Sequence, residues 1–297
     1  MKESIEALVK SHSRRFKSDG AVFAFQIGSS LKEEDFFDNS DLDFLVVYDK
    51  KIRKGFILNR GKGIEINIMR RSRERFLKLL EDGNPVDLIA LRFGKVLLDD
   101  GFVEGLRKKE YEPTQRTMEQ WMHTASLNLS SVTSNYSLPA CMCCYFRELH
   151  HSARDFSRAM IVKEKNDLVE GDAAVLGRLE SLYPELVDGY RLILDGRRNY
   201  QKFESKYVKT VKIEENELGR YLLAGEEFAR KAYKVVLGLS LPRVNDLISD
   251  LERKYIIDHY HGFWLSSERK EIIVGLVLEG DRLKYFTYDL GIGEWKD

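Results

Sequence analysis

Cysteine is scarce in this 297-residue chain: there are three, Cys141, Cys143 and Cys144, all within four positions. An odd, clustered set cannot form a disulfide framework, so a reducing compartment is expected. Proline is limited to five residues. No Pro/Gly/Ser-rich linker, internal repeat or low-complexity tract occurs. Long apolar runs are lacking too. No apolar run exceeds about seven residues, Ile272 to Leu278 among them, against the roughly 20 that a membrane-spanning helix needs. The opening Met1-Lys2-Glu3-Ser4-Ile5-Glu6 carries acids and no apolar h-region, so no signal peptide is expected and a cytoplasmic location is. Net charge is also absent, because 48 lysines and arginines balance 48 aspartates and glutamates. That balance argues against bulk coating of nucleic acid.

What is present is the composition of a soluble globular protein, 43% hydrophobic and 32% charged, with room for two or three domains. The charge is uneven. From Lys50 to Arg75 the basic residues Lys50, Lys51, Arg53, Lys54, Arg60, Lys62, Arg70, Arg71, Arg73 and Arg75 face only Glu65 and Glu74. Such a segment is either a solvated loop and helix face or a wall that attracts phosphate, with Arg70 and Arg71 best placed for the second role.

Along the chain, Ile5, Leu8, Val9, His12 and Phe16 have helical spacing and end at Asp19-Gly20. Ala21 to Ile27 predicts a buried strand that stops at Gly28-Ser29-Ser30, and Asp41 to Tyr48 predicts a second. Ile64 to Met69 alternates with period two, putting Ile64, Ile66 and Ile68 on one face and Glu65, Asn67 and Met69 on the other. Ser72 caps a following helix; a further helix over 84–91 and a short strand over 94–98 complete the first part. From Pro113 the pattern changes to long helices, at about 114–131, 139–165, 172–183, 185–200 and 214–238. One more helix near 244–255 precedes a hairpin of Glu271–Leu278 and Leu283–Tyr288.

The chemistry is carried by Gly28-Ser29, then Asp41-Leu42-Asp43, then a carboxylate on the next strand. Asp41 and Asp43 lie two apart on a strand, so both carboxylates leave one face. Two such carboxylates repel unless a cation lies between them, and hard oxygen ligands suit Mg²⁺ or Mn²⁺. Glu65 could complete a set of three that holds two ions, the arrangement that clamps attacking and leaving oxygens in phosphoryl-type transfer. Asn67 points the same way as Glu65 and could stand in its place; Glu65 is preferred because Asn is a poor Mg²⁺ ligand. Gly28 lets the backbone approach a phosphate, to which Ser29 and Ser30 can donate.

A strand ending in Gly28-Ser29, an acidic insert, then Ser40-Asp41-Leu42-Asp43 opening an apolar strand resembles the signature of the polymerase-β-like nucleotidyltransferases. The segment Gly83-Asn84-Pro85-Val86-Asp87-Leu88-Ile89-Ala90-Leu91 and Lys95-Val96-Leu97-Leu98-Asp99-Asp100 looks like the branch that includes the kanamycin and lincosamide enzymes. The likeness covers residues 20–100. With the strand-then-helix pattern above, the expected fold is α+β: a mixed nucleotidyltransferase-type sheet with flanking helices over 1–112, as the resemblance implies, then an α-helical bundle over 113–240 and a small β-containing tail over 241–297. The resemblance further implies transfer of an NMP from an NTP to an acceptor hydroxyl with release of pyrophosphate. Asp41, Asp43 and Glu65 would bind Mg²⁺ or Mn²⁺, and Gly28, Ser29, Ser30, Ser40 and Arg70 would contact the nucleotide, ATP being the expected donor. The acceptor is open between small molecule, protein and RNA, no membrane is involved, and a homodimer is kept open.

In the helical half, Met142, Tyr145, Phe146, Leu149, Ala153, Phe156 and Met160 form an apolar stripe, with Arg147, Glu148, His151, Arg154, Asp155 and Arg158 on the other side. In the antibiotic-modifying relatives such a domain helps form the acceptor pocket, so Glu148 and Arg154 are its candidates here; the alternative is an ordinary ion-paired helix face. The Leu149–Phe156 stretch also looks like a HEPN domain. Its ribonucleolytic Arg-x4–6-His motif is not met, since only three residues separate Arg147 from His151. A second functional class stays open beside the enzyme: a nucleotide-binding regulatory or toxin–antitoxin-type module with little turnover.

Overall fold

The computed structural model of the chain describes residues 2–32, 40–61, 64–135, 142–201 and 215–296. Two compact units result, one of residues 1–117 with 166–174, the other of residues 118–165 with 175–297.

The first unit opens with helix α1 (Lys2–Ser18), followed by strand β1 (Ala21–Ile27), a 3₁₀ turn (Gly28–Leu31) and β2 (Leu42–Tyr48). Strands β3 (Phe56–Gly61) and β4 (Ile64–Ser72), helices α2 (Arg73–Glu81) and α3 (Pro85–Phe93), β5 (Lys95–Leu98) and α4 (Val103–Arg107) complete it. The five strands form a mixed sheet in the order β3-β4-β2-β1-β5, in which only β2 and β4 run parallel. The architecture is α+β, as the strand-then-helix pattern led one to expect. Strand β3 was not anticipated: Phe56-Ile57-Leu58 sits inside the basic segment, whose charges mask its alternation.

Period two divides the sheet into two faces. Leu42, Phe44, Val46, Tyr48, Ile66 and Ile68 point toward α1 and pack against Phe16, with Ile5, Leu8 and Val9 beside them. Phe16 and Phe44 meet edge-on at 5.3 Å. Burying Phe44 completely stabilises the unit by about 1.5–3 kcal/mol. The opposite face holds Phe23 and Phe25 with Phe76 of α2 in a triangle of ring contacts of 5.2–6.2 Å. Ser72 starts α2 by accepting from the Arg75 amide, and Asn84 starts α3 by accepting from Val86 and Asp87, with Pro85 in the first turn.

The second unit contains most of α5 (Gln115–Asn135) together with α6 (Met142–Lys165), α7 (Asp172–Leu182), α8 (Val187–Gln201), α9 (Glu215–Ala232) and α10 (Val244–Glu252). An antiparallel sheet of β6 (Ile257–Ser266), β7 (Glu271–Leu278), β8 (Arg282–Asp289) and β9 (Glu294–Trp295) follows. Strand β6 had been missed because His259, Tyr260 and His261 break its hydrophobic pattern. It docks on α5 through Thr133 Oγ1 donating to the Phe263 carbonyl and Ser130 Oγ accepting from the Leu265 amide. Helix α6 is buried on both sides: Asp155 and Arg158 are ion-paired inside, and buried His150 bonds Arg197. Among the described residues, no helix is long and apolar enough to cross a membrane.

Candidate active site

The site grows from one register. Strand β1 pairs Ile27 with Asp43, and β2 pairs Asp43 with Asn67. Side chains paired across a ladder leave the same face, so the end of β1, the start of β2 and the start of β4 converge. Gly28 follows Ile27 with φ +77, a left-handed conformation that a side chain resists. A Cβ built there would lie 2.7 Å from Asp43 Oδ2, so the position needs glycine twice over. The backbone of the turn thereby lies against the Asp43 carboxylate.

Asn67 Nδ2 donates to Asp43 Oδ1 at 3.0 Å and to Asp41 Oδ2 at 3.3 Å. One amide therefore ties both aspartates together and offsets their repulsion. Glu65 lies two residues earlier on the same face of β4, half-buried, across from position 60 of β3. Among the described residues, no group of three acids, histidines or cysteines is arranged to hold a metal ion. The donor set still fits one: Mg²⁺ is commonly held through one or two carboxylates with substrate phosphates and water completing its shell.

The remaining expected residues separate into three groups. Ser40 is buried just before Asp41. The Ser29 hydroxyl makes no hydrogen bond to a described residue, and its carbonyl accepts from the Lys32 amide in the turn. Ser30 Oγ is engaged, accepting from Gln26 Nε2 at 3.0 Å and donating to the Ile27 carbonyl. Arg70 lies apart from the aspartates. It lies three residues after Asn67, an odd separation that turns it to the α1 face, where its guanidinium lies 4.9 Å over the Tyr48 ring. Arg71 is on the aspartate face but farther along the strand, 3.5 Å from the buried Asp87 carboxylate. In the second unit, Glu148 accepts from the Arg147 guanidinium and Arg154 lies 3.8 Å from Asp155.

Asn67 is the residue that sequence reasoning ranked second and that the structure puts in contact with both aspartates. Phe56 and Leu58 were missed altogether. They are more than half exposed and pair with Met69 and Asn67, so they extend the aspartate face with apolar surface. Their two-residue spacing and period were the available signal.

No protein-family model matches the chain, and no curated protein matches it. Among solved structures, a nucleotidyltransferase-like protein from Exiguobacterium sibiricum aligns at 10% identity and TM-score 0.36, over 88% of this chain and 81% of its own. A spectinomycin adenyltransferase from Enterococcus faecialis, solved with ATP and spectinomycin, aligns at 16% identity and TM-score 0.44, over 79% of this chain and 100% of its own. Likeness at this level does not assign an activity.

Proposed function

We propose that the chain transfers the NMP of a nucleoside triphosphate, with ATP as the expected donor, to an acceptor hydroxyl. The observation that carries this reading is the packing of the Gly28 turn against Asp43 with Asp41 on the same face. The acceptor oxygen forms a bond to the α-phosphorus, the bond to the β-phosphate oxygen breaks, pyrophosphate leaves and the hydroxyl proton is released. A bound Mg²⁺ or Mn²⁺ would polarise the phosphoryl oxygens and lower the pKa of the attacking hydroxyl. Asp41 and Asp43 would hold it. The amide groups of the Gly28–Ser30 turn and the Ser29 hydroxyl would bind the triphosphate, with Ser40 supporting the start of β2. Glu65 is assigned as the third carboxylate and the group that takes the proton. Phe56 and Leu58 offer an apolar floor to a nucleoside, and Glu148 and Arg154 are the proposed acceptor contacts.

A second reading is favoured by one observation, the Asn67 amide lying where a third carboxylate would serve best. On that reading the domain binds nucleotide and turns over little. A labelled-NTP transfer assay across small molecules, tRNA and the chain itself separates the two. Transfer by the wild type that vanishes in Asp43→Asn supports the enzyme. Mg-NTP binding without transfer to any acceptor, with transfer appearing in Asn67→Asp, identifies the binding module instead.

A further inference from the structure

The parallel pair β2 and β4 has a second end. Past Tyr48 and Ser72, the connection from β2 to β3 folds back over the last residues of β4, pinned by the Arg70 amide donating to the Gly55 carbonyl at 2.7 Å. A cavity of about 420 Å³ lies there, bordered by Lys51, Arg70, Arg71, Ser72, Arg75 and Asn84. Its border carries four cationic side chains. Among the described residues, only Arg71 has an acid within ion-pair distance, Asp87 at 3.5 Å. The Nε atom of Arg70 is buried without a hydrogen-bond partner among the described residues. Ser72 and Asn84, the caps of α2 and α3, both border the cavity, so the positive ends of two helices lie beside the four cations. Positive charge gathered this closely around a polar cavity is unfavourable until an anion neutralises it. From Asn67 to Ser72 is five residues of strand, roughly 16 Å, so this place is separate from the aspartate pair.

We propose that this basic cavity binds the di- or triphosphate group of a small molecule, as a site distinct from the aspartate site. Multiply charged phosphate suits it better than a carboxylate. Three guanidiniums and an ammonium offer more donors than one carboxylate can use, and guanidinium forks match phosphate oxygens.

Calorimetric titration with pyrophosphate, in buffer containing EDTA to silence any cation-dependent binding at the aspartates, tests the proposal. Wild type and Asp43→Asn should bind alike. The double variant Lys51→Gln/Arg75→Gln, at two exposed positions, should bind roughly tenfold or more weakly, and its far-ultraviolet circular dichroism should match that of the wild type. Absence of pyrophosphate binding in the wild type, equal binding by the double variant, or loss of binding in Asp43→Asn would each overturn the site. A 5′-phosphorylated oligonucleotide binding more tightly than pyrophosphate would overturn the small-molecule assignment in favour of nucleic acid.

Discussion

The two ends of the β2–β4 pair make opposite use of the same ladder. At the start, Asp41 and Asp43 lie on one face and share the amide of Asn67. At the finish, Arg70 and Arg71 are next to each other in sequence, so they leave opposite faces, and the chain gathers them at the strand end with Lys51 and Arg75. The acidic end holds its charge with a neutral hydrogen-bond donor. The basic end leaves most of its charge uncompensated by acids among the described residues. Parallel pairing is what keeps these ends apart, because both strands run from acid to base together.

The largest test breaks the acidic end. Asp43→Asn keeps the shape and the contact with Gly28 but removes a metal-binding charge. NMP transfer should fall by roughly a thousandfold, equivalent to several kcal/mol of transition-state stabilisation, while thermal unfolding stays near wild type. Retained transfer would remove Asp43 from the chemistry.

The next test reaches the basic end through Asp87, which is fully buried with the Arg71 guanidinium 3.5 Å from its carboxylate. Burial pushes its carboxyl from 3.8 up to about 6, against the downward pull of Arg71. A raised carboxyl pKa means that the folded state binds the proton more tightly than the unfolded chain. The group therefore costs nothing below about 4, its cost grows as pH rises toward about 6, and above that the cost is full, on the order of 3 kcal/mol. Asp87→Asn should accordingly raise unfolding stability at pH 8 much more than at pH 5, as measured by urea denaturation. An equal effect at both values would show that Asp87 does not titrate in this window.

Smaller effects sharpen the comparison at the turn. Gly28→Ala places a methyl against Asp43 Oδ2 in a left-handed conformation and should cost about 2 kcal/mol of stability, read from the shift in urea midpoint. Ser29→Ala should weaken NTP binding by about 1.5 kcal/mol, the lower range for a hydrogen bond to a charged group, with stability unchanged. Nucleotide affinity equal to wild type would take Ser29 out of the phosphate cradle.

Much of this was legible from local pattern. Strands β1, β2 and β4, the cap at Ser72 and the hairpin after Leu278 follow from periodicity and turn chemistry, which act over a few residues. The pairing of Asp41 with Asp43 on one face also follows, since alternation along a strand is local. Strands β3 and β6 were not legible, because charged or aromatic-rich segments become strands through the neighbours that pair with them. The polar side of α6 was equally misleading. Asp155 and Arg158 look solvated in sequence and are buried, where they pair with each other across one turn.

The sequence by itself determined that two carboxylates would share a face close after a glycine turn, since backbone alternation and a left-handed glycine need nothing beyond the chain's own geometry. Only the tertiary structure decided that the Asn67 amide of β4 hydrogen-bonds both of them. Glu65 and Asn67 have the same facing, and the choice between them is a two-residue shift in the register of β2 against β4. That register is set by the burial of Leu42, Phe44 and Val46 level with Ile66, Ile68 and Arg70, where the ring of Tyr48 meets the Arg70 guanidinium. The same register carried Arg70 away from the aspartates and into the basic end of the sheet.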